Sequence, residues 1–316
     1  MDPCMVKEDT DFSVPLADGR QFGLRWYGAP NGPPVLGLHG TPGSRLKFRL
    51  AGAAAKELGL KLYCPDRWGY GLTTNIVGKP TFAGFANDIG EIADHLGLNR
   101  FSIVGISGGG PFAATVAAAL RERVDKLALI GPVGPILPRP FQAPIGPFHR
   151  FAFTAWPRIP GGMRLTFATF RILLSMNPKL AVSAVAARAG HADRQIFREG
   201  DNKEALGEIM RAGLSRGSDG PVIDMRMFAG SWDVDLSKVT AATRLWIGTE
   251  DRNVPLGPAR RLAAAIPQAQ LTEILGAGHF WIMQNYREVF DWLACCLDKD
   301  EDTSQATARP LSQPSQ

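Results

Sequence analysis

The sequence lacks the features that would direct it to a membrane or to an oxidising compartment. None of its apolar runs reaches the roughly 18 residues that a membrane-spanning helix requires. The first residues contain no basic segment followed by an apolar stretch, so we expect no secretory signal and a cytoplasmic location. The four cysteines include no Cys-x-x-Cys pair and predict no disulfide framework, which fits a reducing compartment.

The chain also lacks a large excess of charge. Its net charge of +5 over 316 residues is too small to indicate a nucleic-acid partner. A chain that is 45% hydrophobic and 21% charged can form a sizeable core, which excludes a disordered protein. The 35 glycines follow no Gly-x-y repeat, which excludes a collagen-like protein. The length allows two compact units or one large α/β unit with an insertion, and the oligomeric state stays open.

What the chain does contain is an alternation of strand and helix patterns. After an N-terminal hairpin, short apolar runs at Val35–His39, Leu60–Cys64, Phe101–Ile106 and Leu127–Ile130 are separated by helical patterns. The alternation stops after residue 131 and resumes near Thr243. It predicts β-α-β units and a parallel sheet that is covered on both faces.

The break in the alternation predicts the domain organisation. A structureless loop of about 110 residues is implausible inside a compact domain, so we expect a helical insertion. We therefore predict a core formed by residues 1–131 and 240–297, an insertion at 132–239 and a disordered tail at 298–316.

A stretch that overlaps the start of the insertion, from Lys126 to Ala192, has no acidic residue but has eight lysines or arginines, counting Lys126 itself. The same stretch is rich in phenylalanine. One hypothesis is a lid that receives an anionic or amphipathic acyl substrate, or that rests on a lipid surface. In the simpler interpretation, the aromatic side chains pack the insertion against the core and the arginines extend to water.

The strongest chemical signal is a Gly-x-Ser-x-Gly sequence, Gly105 to Gly109, placed between a predicted strand and a predicted helix. Small residues on both sides of Ser107 would let the strand and helix pack closely, so that the serine takes a strained backbone and stands above the sheet. A serine hydroxyl needs a base to become a nucleophile. The bare pattern also fits an ordinary glycine-rich turn.

The chain has five histidines from which that base could come. His279 follows the last predicted strand in a loop rich in glycine, where we expect a general base. His95 is predicted on a helix surface, and His149 and His191 lie in the insertion without a motif. His39 is expected to support its own loop by a hydrogen bond rather than to titrate.

The remaining predicted site residues are a carboxylate and two backbone donors. Asp251 follows the penultimate strand and is the expected partner of the histidine, with Glu250 as its rival. In the loop after the first parallel strand, Gly40 and a proline position the Thr41 N–H as an oxyanion donor, and the Gly108 N–H is the second.

These segments together resemble those of the α/β-hydrolase fold superfamily. Residues 39–43 are similar to its His-Gly-x-Pro-Gly oxyanion loop, residues 66–71 to its Asp-Arg-x-Gly-x-Gly segment, and residues 105–109 and 276–279 to its nucleophile and histidine loops. The resemblance covers about residues 12–131 and 240–296 and leaves the insertion unassigned. It implies a mostly parallel eight-stranded sheet with helices on both faces, a helical lid after strand six, and a Ser107-Asp251-His279 triad.

The predicted function is hydrolysis of a carboxylic ester or related acyl bond of a small molecule, without a metal or organic cofactor. Epoxide and haloalkane hydrolases of this fold use aspartate where Ser107 stands. The chain has four tyrosines, none of them in the insertion, so we do not expect tyrosines of a lid to open an epoxide ring. A proline-releasing aminopeptidase, a cofactor-free perhydrolase and a carbon–carbon bond hydrolase stay open on the same triad. A non-catalytic ligand-binding protein is the alternative from a different class.

Overall fold

The computed structural model describes residues 6–136 and 147–295, so the predicted disordered tail at 298–316 lies outside the described residues. The strands are β1 (Phe12–Pro15), β2 (Gln21–Gly28), β3 (Pro34–Leu38), β4 (Lys61–Pro65), β5 (Phe101–Ile106), β6 (Val124–Ile130), β7 (Ala242–Gly248) and β8 (Gln270–Ile274). They form one sheet of eight strands in the order β1-β2-β4-β3-β5-β6-β7-β8. The predicted mostly parallel sheet is confirmed: β1 and β2 pair antiparallel, β2 pairs antiparallel with β4, and the other neighbours are parallel.

The helices of the core lie on both faces of this sheet, as predicted. They are α1 (Gly52–Glu57), α2 (Phe82–His95), α3 (Gly109–Leu120), α10 (Leu256–Ala265) and α11 (Ile282–Ala294). Successive residues of β5 point to opposite faces of the sheet and are buried by different helices. Ile103 packs in the cluster with α2 and α3, whereas Val104 packs in the cluster with α1 and α11. All six positions of β5 are buried, which is typical of a central parallel strand.

One predicted helix differs from the structure. The helical pattern predicted between the runs Val35–His39 and Leu60–Cys64 forms two helices of different type, since Arg45–Ala51 form a 3₁₀ helix and α1 follows. Arg45, Phe48 and Ala51 are all buried, and a 3₁₀ helix places side chains three residues apart directly in line, whereas an α-helix offsets them. Burial of this row therefore outweighs the local preference for an α-helix.

The insertion between β6 and β7 is helical where the structure describes it. It contains α4 (Pro147–Thr154), α5 (Gly162–Met176), α6 (Pro178–Arg188), α7 (His191–Ile196), α8 (Asn202–Gly213) and α9 (Asp219–Ala229). These helices share apolar clusters with the core, for example through Phe197 on Phe280, whose rings lie 4.6 Å apart. No helix formed by the described residues has both the length and the apolar character to cross a bilayer.

Candidate active site

Ser107 stands at the end of β5 with the left-handed backbone that the glycine pattern predicts. Its φ is +55°, a conformation that is rare for a residue with a side chain. A β-carbon at Gly105 would lie 2.7 Å from the Ala113 β-carbon, and one at Gly109 would lie 2.2 Å from the Leu38 carbonyl oxygen. Both positions therefore exclude larger residues. Gly105 lets α3 pack closely on β5, and Gly109 lets the start of α3 approach the end of β3.

The structure brings the three residues of the predicted triad together. Ser107 Oγ lies 3.0 Å from His279 Nε2, and His279 Nδ1 lies 2.7 Å from Asp251 Oδ2. The other carboxylate oxygen of Asp251 accepts from the backbone N–H groups of Asn253 and Val254, at 2.8 and 2.9 Å. These two bonds hold the carboxylate in place, whereas the rival Glu250 has an exposed side chain.

The surroundings of His279 favour its protonated form. Burial lowers the pKa of this imidazole, but the charge and the hydrogen bond of Asp251 outweigh burial and raise it above its usual value. The Asp251 side chain is itself only 1% exposed, so water screens its charge weakly. An imidazole in this setting can accept a proton from a serine hydroxyl and keep it.

The two predicted oxyanion donors lie side by side beside Ser107. A β-carbon at Gly108 would come within 2.1 Å of Thr41 Oγ1, and one at Gly40 would lie 3.7 Å from Ser107 Oγ. Within residues 6–136 and 147–295, neither the Thr41 N–H nor the Gly108 N–H donates a hydrogen bond. Two backbone N–H donors without a partner, placed beside a serine hydroxyl, can bind a negatively charged oxygen.

His39 is buried behind this loop. Its Nδ1 lies 2.8 Å from the Gly40 carbonyl oxygen, and its Nε2 accepts the Arg67 N–H at 3.1 Å. Accepting at Nε2 places the single ring proton on Nδ1, which then donates to Gly40. Burial first, and then the Arg67 charge, lower the pKa of His39 well below its usual value, so the ring stays neutral.

Asp224 of α9, which no sequence pattern predicted, joins the insertion to the oxyanion loop. Its Oδ2 accepts from Thr41 Oγ1 at 2.6 Å, from Arg67 at 2.5 Å and from Tyr70 Oη at 2.7 Å. The Arg67 and Asp224 side chains are each 1% exposed. No motif marks Asp224, because its partners lie more than 150 positions away, at separations of 183, 157 and 154.

Asp193 of α7, also not predicted from the sequence, holds the histidine loop. Its carboxylate accepts the His279 N–H at 3.0 Å and the Phe280 N–H at 2.8 Å. A β-carbon at Gly278 would lie 2.2 Å from Asp193 Oδ1, so only glycine allows this approach. Burial raises the pKa of Asp193, while the two backbone N–H groups and the imidazole oppose that rise.

The site opens into a cavity of about 620 Å³ between the core and the insertion. Ser107 and His279 lie in its wall, with Thr41 and Gly108 beside them. The rest of the wall is mostly apolar and aromatic, with contributions from Phe148, Phe153, Trp156, Phe167, Phe170 and Phe228. Such a wall fits an apolar group of a small molecule next to the reacting centre.

His95 and His191, two other histidines considered from the sequence, do not line this cavity. His95 and His191 are exposed, and the side chain of His149 lies outside the described part of the structure. Among residues 6–136 and 147–295 no group of three or more His, Cys, Asp or Glu side chains is placed to hold a metal ion.

The comparisons with known proteins identify the family. Residues 33–286 match the model of the alpha/beta hydrolase fold, which is most of the chain. The protein belongs to the alpha/beta hydrolase fold family. An alpha/beta hydrolase fold protein from Nakamurella multipartita is similar in structure, with a TM-score of 0.66 and 26% identity over 90% of this chain and 99% of that one.

Two curated relatives of this alpha/beta hydrolase are named for different reactions. It is 28% identical to 2-hydroxymuconate semialdehyde hydrolase of Pseudomonas putida over 279 residues, which cover 87% of this chain and 89% of that enzyme. It is 34% identical to haloalkane dehalogenase 2 of Mycobacterium tuberculosis over 117 residues. That second match spans only 39% of the dehalogenase and 35% of this chain.

Proposed function

We propose that this alpha/beta hydrolase cleaves a carboxylic ester or a related acyl bond through an acyl-enzyme intermediate on Ser107. The observation that carries the proposal is the chain of contacts from hydroxyl to imidazole to carboxylate, at 3.0 and 2.7 Å. The two partnerless N–H groups of Thr41 and Gly108 support it, because acyl transfer places a negative oxygen where such donors are needed.

In the proposed reaction, Ser107 Oγ forms a bond to the carbonyl carbon while its proton moves to His279 Nε2. The Nδ1–H bond to Asp251 keeps the imidazole in the correct tautomer and stabilises its charged form. The negative carbonyl oxygen accepts from the Thr41 and Gly108 N–H groups. The imidazolium then gives its proton to the leaving alcohol, and water repeats the sequence on the acyl-enzyme to release the acid and restore Ser107.

The partial likeness to a haloalkane dehalogenase does not favour dehalogenation. Displacing a halide from carbon requires a carboxylate nucleophile that forms an ester. This chain has a hydroxyl at the nucleophile position, and the matched stretch covers 39% of that relative. A serine hydroxyl beside two free N–H groups is suited to a carbonyl carbon.

Carbon–carbon bond hydrolysis is the second candidate function. The likeness to 2-hydroxymuconate semialdehyde hydrolase favours it, because the match covers 87% of this chain and 89% of that hydrolase. The same site residues could serve both reactions. Assays of esters beside a vinylogous diketone separate the two. Only a carbon–carbon hydrolase breaks the bond between the carbonyl carbon and its neighbour in the latter, where water supplies the hydroxyl of the released carboxylic acid and a proton for the other carbon fragment.

We also propose that the helices between β6 and β7 act as a lid that covers a small acyl substrate. Phe153, Trp156 and Phe167 are buried and line the cavity, and the Trp156 and Phe167 rings stack at 5.4 Å. This arrangement supports the interpretation in which aromatic side chains pack the insertion. The cytoplasmic location stays a prediction.

Labelling by a fluorophosphonate probe tests the proposed nucleophile. We expect the probe to label the wild-type protein and to leave Ser107→Ala unlabelled, with the fold intact by circular dichroism. Ser102→Ala is the matched control, because Ser102 Oγ is buried on β5 without a hydrogen-bond partner among the described residues. Absence of labelling in the wild type, together with tight binding of an apolar ligand, would instead favour a non-catalytic binding protein.

The bond that is cleaved needs a second assay. A panel of p-nitrophenyl esters of graded acyl length, run beside amino-acid arylamides, separates an esterase from an aminopeptidase. Adding peroxide to the ester assay detects perhydrolysis. We expect turnover of esters, and turnover of arylamides alone would reject the esterase proposal.

A further inference from the structure

The cavity wall contains a buried lysine that the proposed reaction does not use. Lys47 lies in the 3₁₀ helix Arg45–Ala51, is 6% exposed and lines the cavity. Its backbone is held on both sides, since its N–H donates to the Ser44 carbonyl at 2.9 Å and its own carbonyl accepts from Tyr286 Oη at 3.3 Å. Burial and the Lys47 charge both lower the pKa of His279, so the ammonium acts electrostatically on the proposed base.

The charge of Lys47 has no partner among the residues that the structure describes. No hydrogen bond or ion pair reaches its Nζ from residues 6–136 or 147–295. Other buried cations of the protein are paired, Arg45 with Asp66 at 2.8 Å and Arg67 with Asp224 at 2.5 Å. Burial without a partner lowers the pKa of Lys47 to about 8.

The residues that line the cavity with Lys47 leave its positive charge available to a bound molecule. The residues that line the cavity include no Asp or Glu, and the other groups among them that carry or can carry a positive charge are His279 and Arg188. Arg188 is exposed and stacks on the Phe148 ring at 4.3 Å. A methionine of similar length would fill the place of Lys47 without the cost of removing a charge from water.

We propose that the Lys47 ammonium binds a carboxylate of the substrate, so that the protein acts on apolar esters that carry one negative charge. This inference rests on the proposed function only where it calls the substrate an ester, because the binding of the carboxylate does not depend on catalysis. One buried cation balances one negative charge, whereas a dianion such as a phosphate would bring a second charge into an apolar cavity without compensation. The aromatic wall would hold the apolar part of the same molecule.

Calorimetric binding of two non-hydrolysable ligands tests the proposal. We expect the wild-type protein to bind phenylbutyrate about 10- to 100-fold more tightly than phenylbutanol, as a charge-assisted hydrogen bond predicts. Lys47→Met should lose this preference. Lys79→Met is the matched control, because Lys79 is exposed and does not line the cavity, and it should keep the preference.

Three results would overturn the proposal: equal binding of the two ligands by the wild type, a preference that persists in Lys47→Met, or tighter binding of phenylbutylphosphonate than of phenylbutyrate. If Lys47→Met does not fold, Lys47→Gln provides a second neutral variant, and the wild-type comparison alone can already reject the idea. Kinetics extends the test to turnover. The ratio of kcat/KM for p-nitrophenyl esters with a terminal carboxylate to that for esters with a terminal carboxamide should fall in the neutral variant.

The outcomes separate this inference from the proposed function. A protein that prefers the carboxylate through Lys47 but is not labelled at Ser107 keeps the binding site and loses the esterase proposal. A protein that is labelled at Ser107 but shows no preference keeps the esterase proposal and loses the carboxylate site.

Discussion

Replacing Asp193 with asparagine tests whether the insertion positions the proposed base. The Asp193 side chain is fully buried, and its carboxylate accepts two backbone N–H groups at 3.0 and 2.8 Å. An asparagine keeps one carbonyl oxygen and turns its amino group toward the other N–H, so one charge-assisted bond is lost. Such a bond contributes about 1.5–3 kcal/mol. If this free energy no longer holds His279 in its position for catalysis, kcat/KM decreases by about 10- to 150-fold.

The pH profile separates this positioning role from a purely structural one. The charge of Asp193 helps Asp251 to raise the pKa of His279 against the effect of burial. His279 must be neutral to act as a base, so kcat/KM rises as the pH increases through the pKa of His279. Removing the Asp193 charge lowers that pKa, and the acidic limb of the profile should move to lower pH. A loss of packing alone would lower the rate without moving the limb.

The assay is hydrolysis of one p-nitrophenyl ester by Asp193→Asn from pH 5 to pH 9, the range about the ordinary histidine pKa of about 6.5. Asp201→Asn is the control, because Asp201 is an exposed carboxylate of the same insertion whose side chain makes no cap hydrogen bond. A rate and an acidic limb equal to those of the wild type, in a folded variant, would refute the reasoning.

Two further substitutions test the oxyanion loop and its support. Gly108→Ala places a methyl group 2.1 Å from Thr41 Oγ1, which should separate the two donors and lower kcat by about 10²–10³-fold; an unchanged kcat would contradict the assigned donors. Asp224→Asn removes the charge that pairs with buried Arg67, and we expect the free energy of unfolding to fall by about 3–5 kcal/mol in urea denaturation. A loss below about 1 kcal/mol, the size expected of an exposed pair, would contradict this.

The sequence was sufficient for those parts of the site that depend on local patterns. The alternation of strand and helix patterns predicted the parallel sheet, and β5 begins and ends at the predicted residues. The glycine pattern around Ser107 predicted a strained turn, because close approach of a strand and a helix leaves no room for side chains. The carboxyl ends of parallel strands meet at one edge, so the predicted Ser107, Asp251 and His279 could come within bonding distance.

Only the tertiary structure decided what surrounds those residues. Asp193 lies 86 positions from His279, and Asp224 lies 183 positions from Thr41, so no local period or spacing connects them. The partnerless charge of Lys47 could not be predicted either, because a lysine in a short helical segment is ordinarily solvated. Its burial depends on segments distant in the chain, since insertion residues such as Leu206 and Met210 line the same cavity. Local sequence encodes the periods and turns, whereas burial and pairing of charge depend on how distant segments pack.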